Sequence, residues 1–149
     1  MRAFILAMFF LFSITTAQAE TPFTLTGIKK LSVLVEDYSG LHLDKKFLKR
    51  LHAMMTKSVK DAGITVEKYN SNVLGIMIKS QNFGKIKTIT IDLILAGQVY
   101  REGEKELVFG LTYQQSDTIE IEDIETDIVD SLEFLLTEFS DQYIEDQKE

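Results

Sequence analysis

The sequence has no cysteine. It therefore has no disulfide framework, no thiolate metal site and no lipidated cysteine behind a leader, so packing alone must hold the fold. Histidine is nearly as scarce, with only His42 and His52. A zinc site built on these two needs a third ligand, and the nearby Asp44 is better placed as a helix cap. The stretch "LAGQVYREGEKE" contains glycines but not the spacing of a phosphate loop, and no GxGxxG follows a strand. A GxSxG elbow is also missing. On these grounds no catalytic residue, no metal and no cofactor is expected.

Long apolar runs are missing too, except at the start. In "MRAFILAMFFLFSITTAQAE", Arg2 supplies a positive end, Ala3 to Phe12 an apolar run, and Ala17-Gln18-Ala19 a small-x-small cleavage site. That run is about half of the roughly 20 apolar residues a spanning helix needs. The sequence thus predicts a signal peptide over 1–19, cleaved after Ala19, and no transmembrane anchor afterwards. Residues 20–149 are expected to form one domain, with frayed ends at about 20–26 and 145–149. An exported chain without cysteine and with a short leader fits a Gram-negative periplasm.

Charge is divided unevenly. From Asp117 to Glu149 thirteen acidic residues face one base, Lys148, giving −12. From Glu20 to Ser116 fourteen Lys and Arg face ten Asp and Glu, giving +4. So acidic a tail repels nucleic acid, and DNA or RNA is not an expected partner.

Periodicity supplies the elements. "KKLSVLVEDY" alternates as a strand, and "LHLDKKFLKRLHAMMTKSVKDAG" reads as a helix. Asp44 is its expected N-cap, Leu43 and Leu48 a hydrophobic staple, and Gly63 the residue just past its end. "ITVEKY", "VLGIMIKS", "KTITIDLILAGQVYR" and "KELVFGLTYQQ" follow as strands. A last helix carries Ile124, Ile128, Ser131, Leu132, Leu135, Leu136, Phe139 and Tyr143 as one stripe. The order β-α-β-β-β-β-α predicts an α+β two-layer sandwich: an antiparallel sheet of four to five strands with two helices on one face. The basic first helix and acidic last helix are expected to pair charges across their flanks, at about 0–1 kcal/mol per pair.

Register then selects candidate residues. A three-residue turn at Glu102-Gly103-Glu104 pairs Val99 with Leu107 and Gly97 with Phe109, so that Leu107, Phe109, Leu111 and Tyr113 face the core. A four-residue turn "NFGK" pairs Ile78 with Ile89 and sets Met77 opposite Thr90. Met77, Ile94, Ala96, Tyr100 and Val108 then form an apolar patch on the outer face, around Gly75 and Gly110, and are the candidate partner-binding residues. Asp92 and the acids of "EIEDIETD" are expected on solvated faces, not as a catalytic pair. "DIETDIVD" lacks the glycine and alternating ligands of a calcium loop. Met54 and Met55 are expected in the core.

The segments "LSVLVED", "KDAGITVE" and "VLGIMI", followed by the final amphipathic helix, resemble in layout small periplasmic modules of envelope assembly. The amino-terminal domain of TolB and the LptE lipoprotein are of this kind, although no cysteine is present for an LptE-type anchor. The resemblance implies an α+β envelope module and transfers no functional residue. The expected function is non-catalytic binding of another envelope protein, or of a second copy, through the sheet face or an edge. A carrier of a lipid or small apolar ligand between helices and sheet is the alternative. A hydrolase using Asp92 with a helix carboxylate is the third reading.

Overall fold

In the computed structural model, residues 25–100 and 105–148 are described. The expected leader over 1–19, residues 20–24, the expected turn Glu102-Gly103-Glu104 and the side chain of Tyr100 lie outside that description. The chain runs β1 (Lys30–Asp37), α1 (Lys45–Asp61), β2 (Thr65–Val66), β3 (Val73–Phe83), β4 (Ile86–Tyr100), β5 (Leu107–Glu120) and α2 (Ile124–Asp146). The five strands form one sheet in the order β2-β1-β3-β4-β5. The expected two-layer α+β sandwich is present, with a mixed sheet. β3, β4 and β5 form the antiparallel meander, whereas β1 pairs parallel with both β2 and β3. Helix α1 crosses over between β1 and β2, which is what a parallel neighbour requires.

Both helices cover the same sheet face. Leu31, Leu74, Ile76, Ile78, Ile89, Ile91, Leu93 and Leu95 point up from the strands and are fully buried. Leu51, Met55, Val59, Leu132, Leu135 and Phe139 meet them from the helices, equally buried. Each such side chain contributes roughly 1.5–3 kcal/mol by leaving water. The Phe139 ring stands edge-on to Tyr113 at 5.3 Å between centroids. These side chains fill the centre of the space between the layers that a carrier would use, and an open cleft of about 800 Å³ remains at one end, lined by Leu41, Arg50, Lys87, Ile121 and Val129. The stripe expected on α2 is buried from Ile128 to Tyr143, while Ile124 is half-buried and Val129, outside the expected stripe, is buried as well. On α1, Phe47, Leu51, Met55 and Val59 are buried, while Met54, Ser58 and Ala62 turn toward α2 and are half-buried.

Helix ends follow their sequence signals only in part. Asp123 accepts a hydrogen bond from Thr126 N at 2.9 Å and caps α2. That bond, from the backbone and the side chain of Thr126, holds its carboxyl below the usual range. Asp44 does stand at the N-cap of α1, yet its side chain makes no capping bond. Gly63 has φ +88 just past the end of α1, where a Cβ would be strained.

Within the stretches expected to fray, the described residues Leu25, Asp146 and Gln147 are joined by hydrogen bonds. Leu25 is fully buried, and its N–H donates to Asp146 Oδ2 at 2.6 Å. Tyr143 OH donates to Ile28 O at 2.8 Å, and Gln147 Nε2 to Leu25 O at 3.1 Å. The start of the domain is thus tied to the end of α2. Among the described residues no helix is long and apolar enough to cross a membrane.

Candidate functional site

Among the described residues no helix lies on the outer face of the sheet, and two register changes decide which residues lie there. The β3–β4 turn is tighter than expected: Phe83 pairs Ile86 around Gly84-Lys85, and Gly84 takes φ +64 at the first turn position. Ile78 therefore meets Ile91, and Met77 meets Asp92. This is a two-residue slip, so every side chain keeps its face.

The β4–β5 pairing changes more. Below Leu95 the ladder is continuous, with Leu95 opposite Tyr113. A bulge follows, and Ala96 is opposite Leu111, so that Thr112 is the extra residue on β5. Each β5 residue beyond the bulge swaps faces. Leu107, Phe109 and Leu111, expected in the core, are outside and 45%, 65% and 53% exposed. Val108 is not on the outer face as expected; it pairs with Val99 on the helix side. Gly97 is opposite Gly110, not under the Phe109 ring.

The outer face now divides into two ends. At one end β4 and β5 run past Val73, where β3 begins, and continue as a two-stranded ribbon. Leu111, Phe109 and Leu107 line it, and Ala96, Ile94 and Leu34 extend the apolar surface back across the sheet. Gly75 lies between Leu34 and Ile94, and a Cβ there would stand 3.8 and 3.7 Å from them, in ordinary van der Waals contact with both. Of the candidates, Ile94 and Ala96 lie in this patch, half-buried and buried respectively. Met77, half-buried, lies one row toward the other end. Tyr100 ends β4 opposite Leu107 in the backbone ladder.

The other end is polar. Asp92 is only 6% exposed, a correction to the solvated position expected of it. Lys79 Nζ and Ser116 Oγ each donate to its carboxylate at 2.6 Å. Burial alone would raise this carboxyl, but the bonds from Lys79 and Ser116 and the Lys79 charge outweigh it and hold it low. An aspartate so committed to a lysine has little basicity left for accepting a substrate proton. Beyond it, Thr90 and Thr118 share a hydrogen bond of 2.9 Å.

The free edge matters as much as the face. β5 is the last strand of the sheet and fourteen residues long, whereas β2 at the opposite edge has two. A long edge strand offers a row of unpaired N–H and C=O groups to an incoming strand. From their exposures, Leu34, Leu107, Phe109 and Leu111 present on the order of 300–400 Å² of apolar surface, worth roughly 8–10 kcal/mol if fully covered. Association itself costs about 4–15 kcal/mol. The patch alone therefore supports weak binding, and backbone pairing along β5 would supply the remainder.

The sequence missed Leu107, Phe109 and Leu111 because a bulge leaves no mark in strand alternation. Gly97 and Gly110, opposite each other just beyond it, are its nearest trace.

No family model matches the chain, and no curated protein matches it. Two solved structures are distantly similar to the chain. A PelC dodecamer from Paraburkholderia phytofirmans is 9% identical, with 70% of this chain and 80% of that one covered at a TM-score of 0.43. A minor lipoprotein from Acinetobacter baumannii is 16% identical, with 78% and 90% covered at 0.35. Likenesses this distant transfer no role.

Proposed function

We propose that the protein is an exported, non-catalytic envelope module that binds a partner protein through the β4–β5 ribbon and the adjoining β5 edge. The observation that carries the reading is the bulge at Leu95/Ala96, which turns Leu107, Phe109 and Leu111 outward beside a long unpaired edge strand. A globular domain gains nothing in its own stability from three large apolar side chains held in water. A partner that adds a strand to β5 would cover them and complete the sheet together. The leader and the missing cysteine support export to the periplasm as a soluble protein, without a lipid anchor.

The test is affinity capture from the host envelope with the wild type and with Leu107→Ser/Phe109→Ser/Leu111→Ser. These positions are exposed, so the triple variant should keep its melting temperature and lose the captured protein. Equal capture by both would remove the ribbon from the account.

A further inference from the structure

The helix layer on the opposite face of the sheet carries a second, independent pattern. Helix α1 has six Lys and Arg against one Asp, and α2 has eight acidic residues and no base. The flank pairing expected between them is missing. Among the described residues the ion pairs are Lys30–Glu67, Lys57–Asp61 and Lys79–Asp92, none of which joins the helices. Their polar contact is a neutral one, Ser58 Oγ to Ser140 Oγ at 3.3 Å. At two of the four helix ends the charges do serve their own helix, with Lys60 in the last turn of α1 and Glu125 and Asp127 in the first turn of α2; at the other two they do not. Lys45 and Lys46 occupy the first turn of α1, where the helix dipole disfavours cations, and the last turn of α2 is acidic, where it disfavours anions.

The two helices run side by side in the same direction, so the outside of the layer is half positive and half negative. A planar anionic surface would be repelled by the α2 half, and a polyanion likewise. A second copy meets both halves. With a two-fold axis between the layers and parallel to the helices, α1 of each copy lies on α2 of the other.

Levels along the helices fit this arrangement in detail. The Ser58–Ser140 contact sets position 53 of α1 level with about position 135 of α2, at roughly 1.5 Å rise per residue. Phe134 is 52% exposed in the middle of the acidic face, with Asp130 and Glu138 one turn away on either side. On α1 an open hollow lined by His52, Ala53, Thr56, Lys57, Lys60 and Asp61 begins level with it, at His52 and Ala53, and runs on toward the end of the helix. By the same offset Lys49 is level with Asp130, and Lys60 with Asp141. The exposed strip is two helices wide and 17 to 23 residues long, which offers on the order of 500–800 Å² per copy, the scale of a modest stable interface.

We infer that the protein forms a two-fold dimer through its helix layer, with Phe134 of each copy seated in the Ala53 hollow of the other and opposite charges ringing both contacts. This surface is distinct from the ribbon of the proposed function, and either can fail without the other. Sedimentation of the purified protein tests it. At low ionic strength the wild type should be a dimer whose dissociation constant rises at least tenfold in high salt. Phe134→Ser should weaken it at least tenfold with the melting temperature kept. Lys49→Glu/Lys60→Glu and Asp130→Lys/Asp141→Lys should each be monomeric alone and associate when mixed, because each supplies the sign the other has lost. A wild type that stays monomeric at about 100 µM in low salt would overturn the inference. So would a dimer that these variants leave unchanged, or variants that fail to associate on mixing.

Discussion

Gly97 and Asn72 occupy one space: a Cβ on Gly97 would come within 2.3 Å of Asn72 Oδ1. Asn72 is itself placed, since its N–H donates to Asn70 Oδ1 at 2.9 Å and its Nδ2 to Lys30 O at 3.5 Å. The glycine thus lets the loop before β3 close over β4. Gly97→Ala should push the Asn72 side chain aside and cost about 1–2 kcal/mol. In Asn72→Ala/Gly97→Ala the added methyl has nothing to displace, so a double-mutant cycle should show a coupling of about 0.5 kcal/mol or more. Strict additivity in denaturant melts would refute the relationship.

Asp92 should act as an acid-sensitive fastening on the open face. Its carboxyl is held below its ordinary value in the folded state. Its contribution is therefore fully present above the unfolded pKa of about 3.9 and is lost as pH falls through the folded value. Asp92→Asn should cost about 1–2 kcal/mol at neutral pH and flatten the stability curve below pH of about 4. Urea melts across that range would show this, and an unchanged acid slope would count against it.

Tyr113 should set the alkaline limit. Burial, with the Glu138 charge second, pushes its phenol up to about 12. A raised phenol favours the neutral folded form, so its contribution holds below about pH 10 and is lost as pH rises toward the folded value. In a phenolate absorbance titration Tyr113→Phe should remove the phase that titrates last. It should also lessen the loss of stability at high pH. A wild type whose tyrosines all titrate near their ordinary value would contradict the burial.

The clasp between Leu25 and the end of α2 gives a fourth measurement of stability. Deleting residues 146–149 removes the acceptor for Leu25 N and the Gln147 bond to Leu25 O. The loss should be about 1–3 kcal/mol, larger than for a frayed end, which would cost nothing measurable. Thermal melts of the two chains decide between these outcomes.

Much of this was legible in the residues. The 3.6-residue stripe from Ile128 to Tyr143 gave α2 its buried face except for Val129, and the alternation of Ile89, Ile91, Leu93 and Leu95 gave β4 its inner face. Period is a local property and survives translation into three dimensions. Pairing is not local. The parallel partners of β1 follow from where α1 sends the chain, and no residue of "LSVLVED" states it. The bulge is less visible still, since one extra residue at Thr112 moves Leu107, Phe109 and Leu111 from core to surface without altering their alternation. The burial of Asp92 is not legible in the sequence because it depends on Lys79 from β3 and Ser116 from β5, which only the register brings together.

Site-resolved photo-crosslinking in intact cells tests the central claim most directly. A photoreactive residue replaces Phe109 or Leu111 on the ribbon, or Thr90 at the polar end of the same face as the control. The account predicts a single partner protein cross-linked from positions 109 and 111 and little or nothing from 90. Equal cross-linking from all three positions, or none from the ribbon pair, would contradict it.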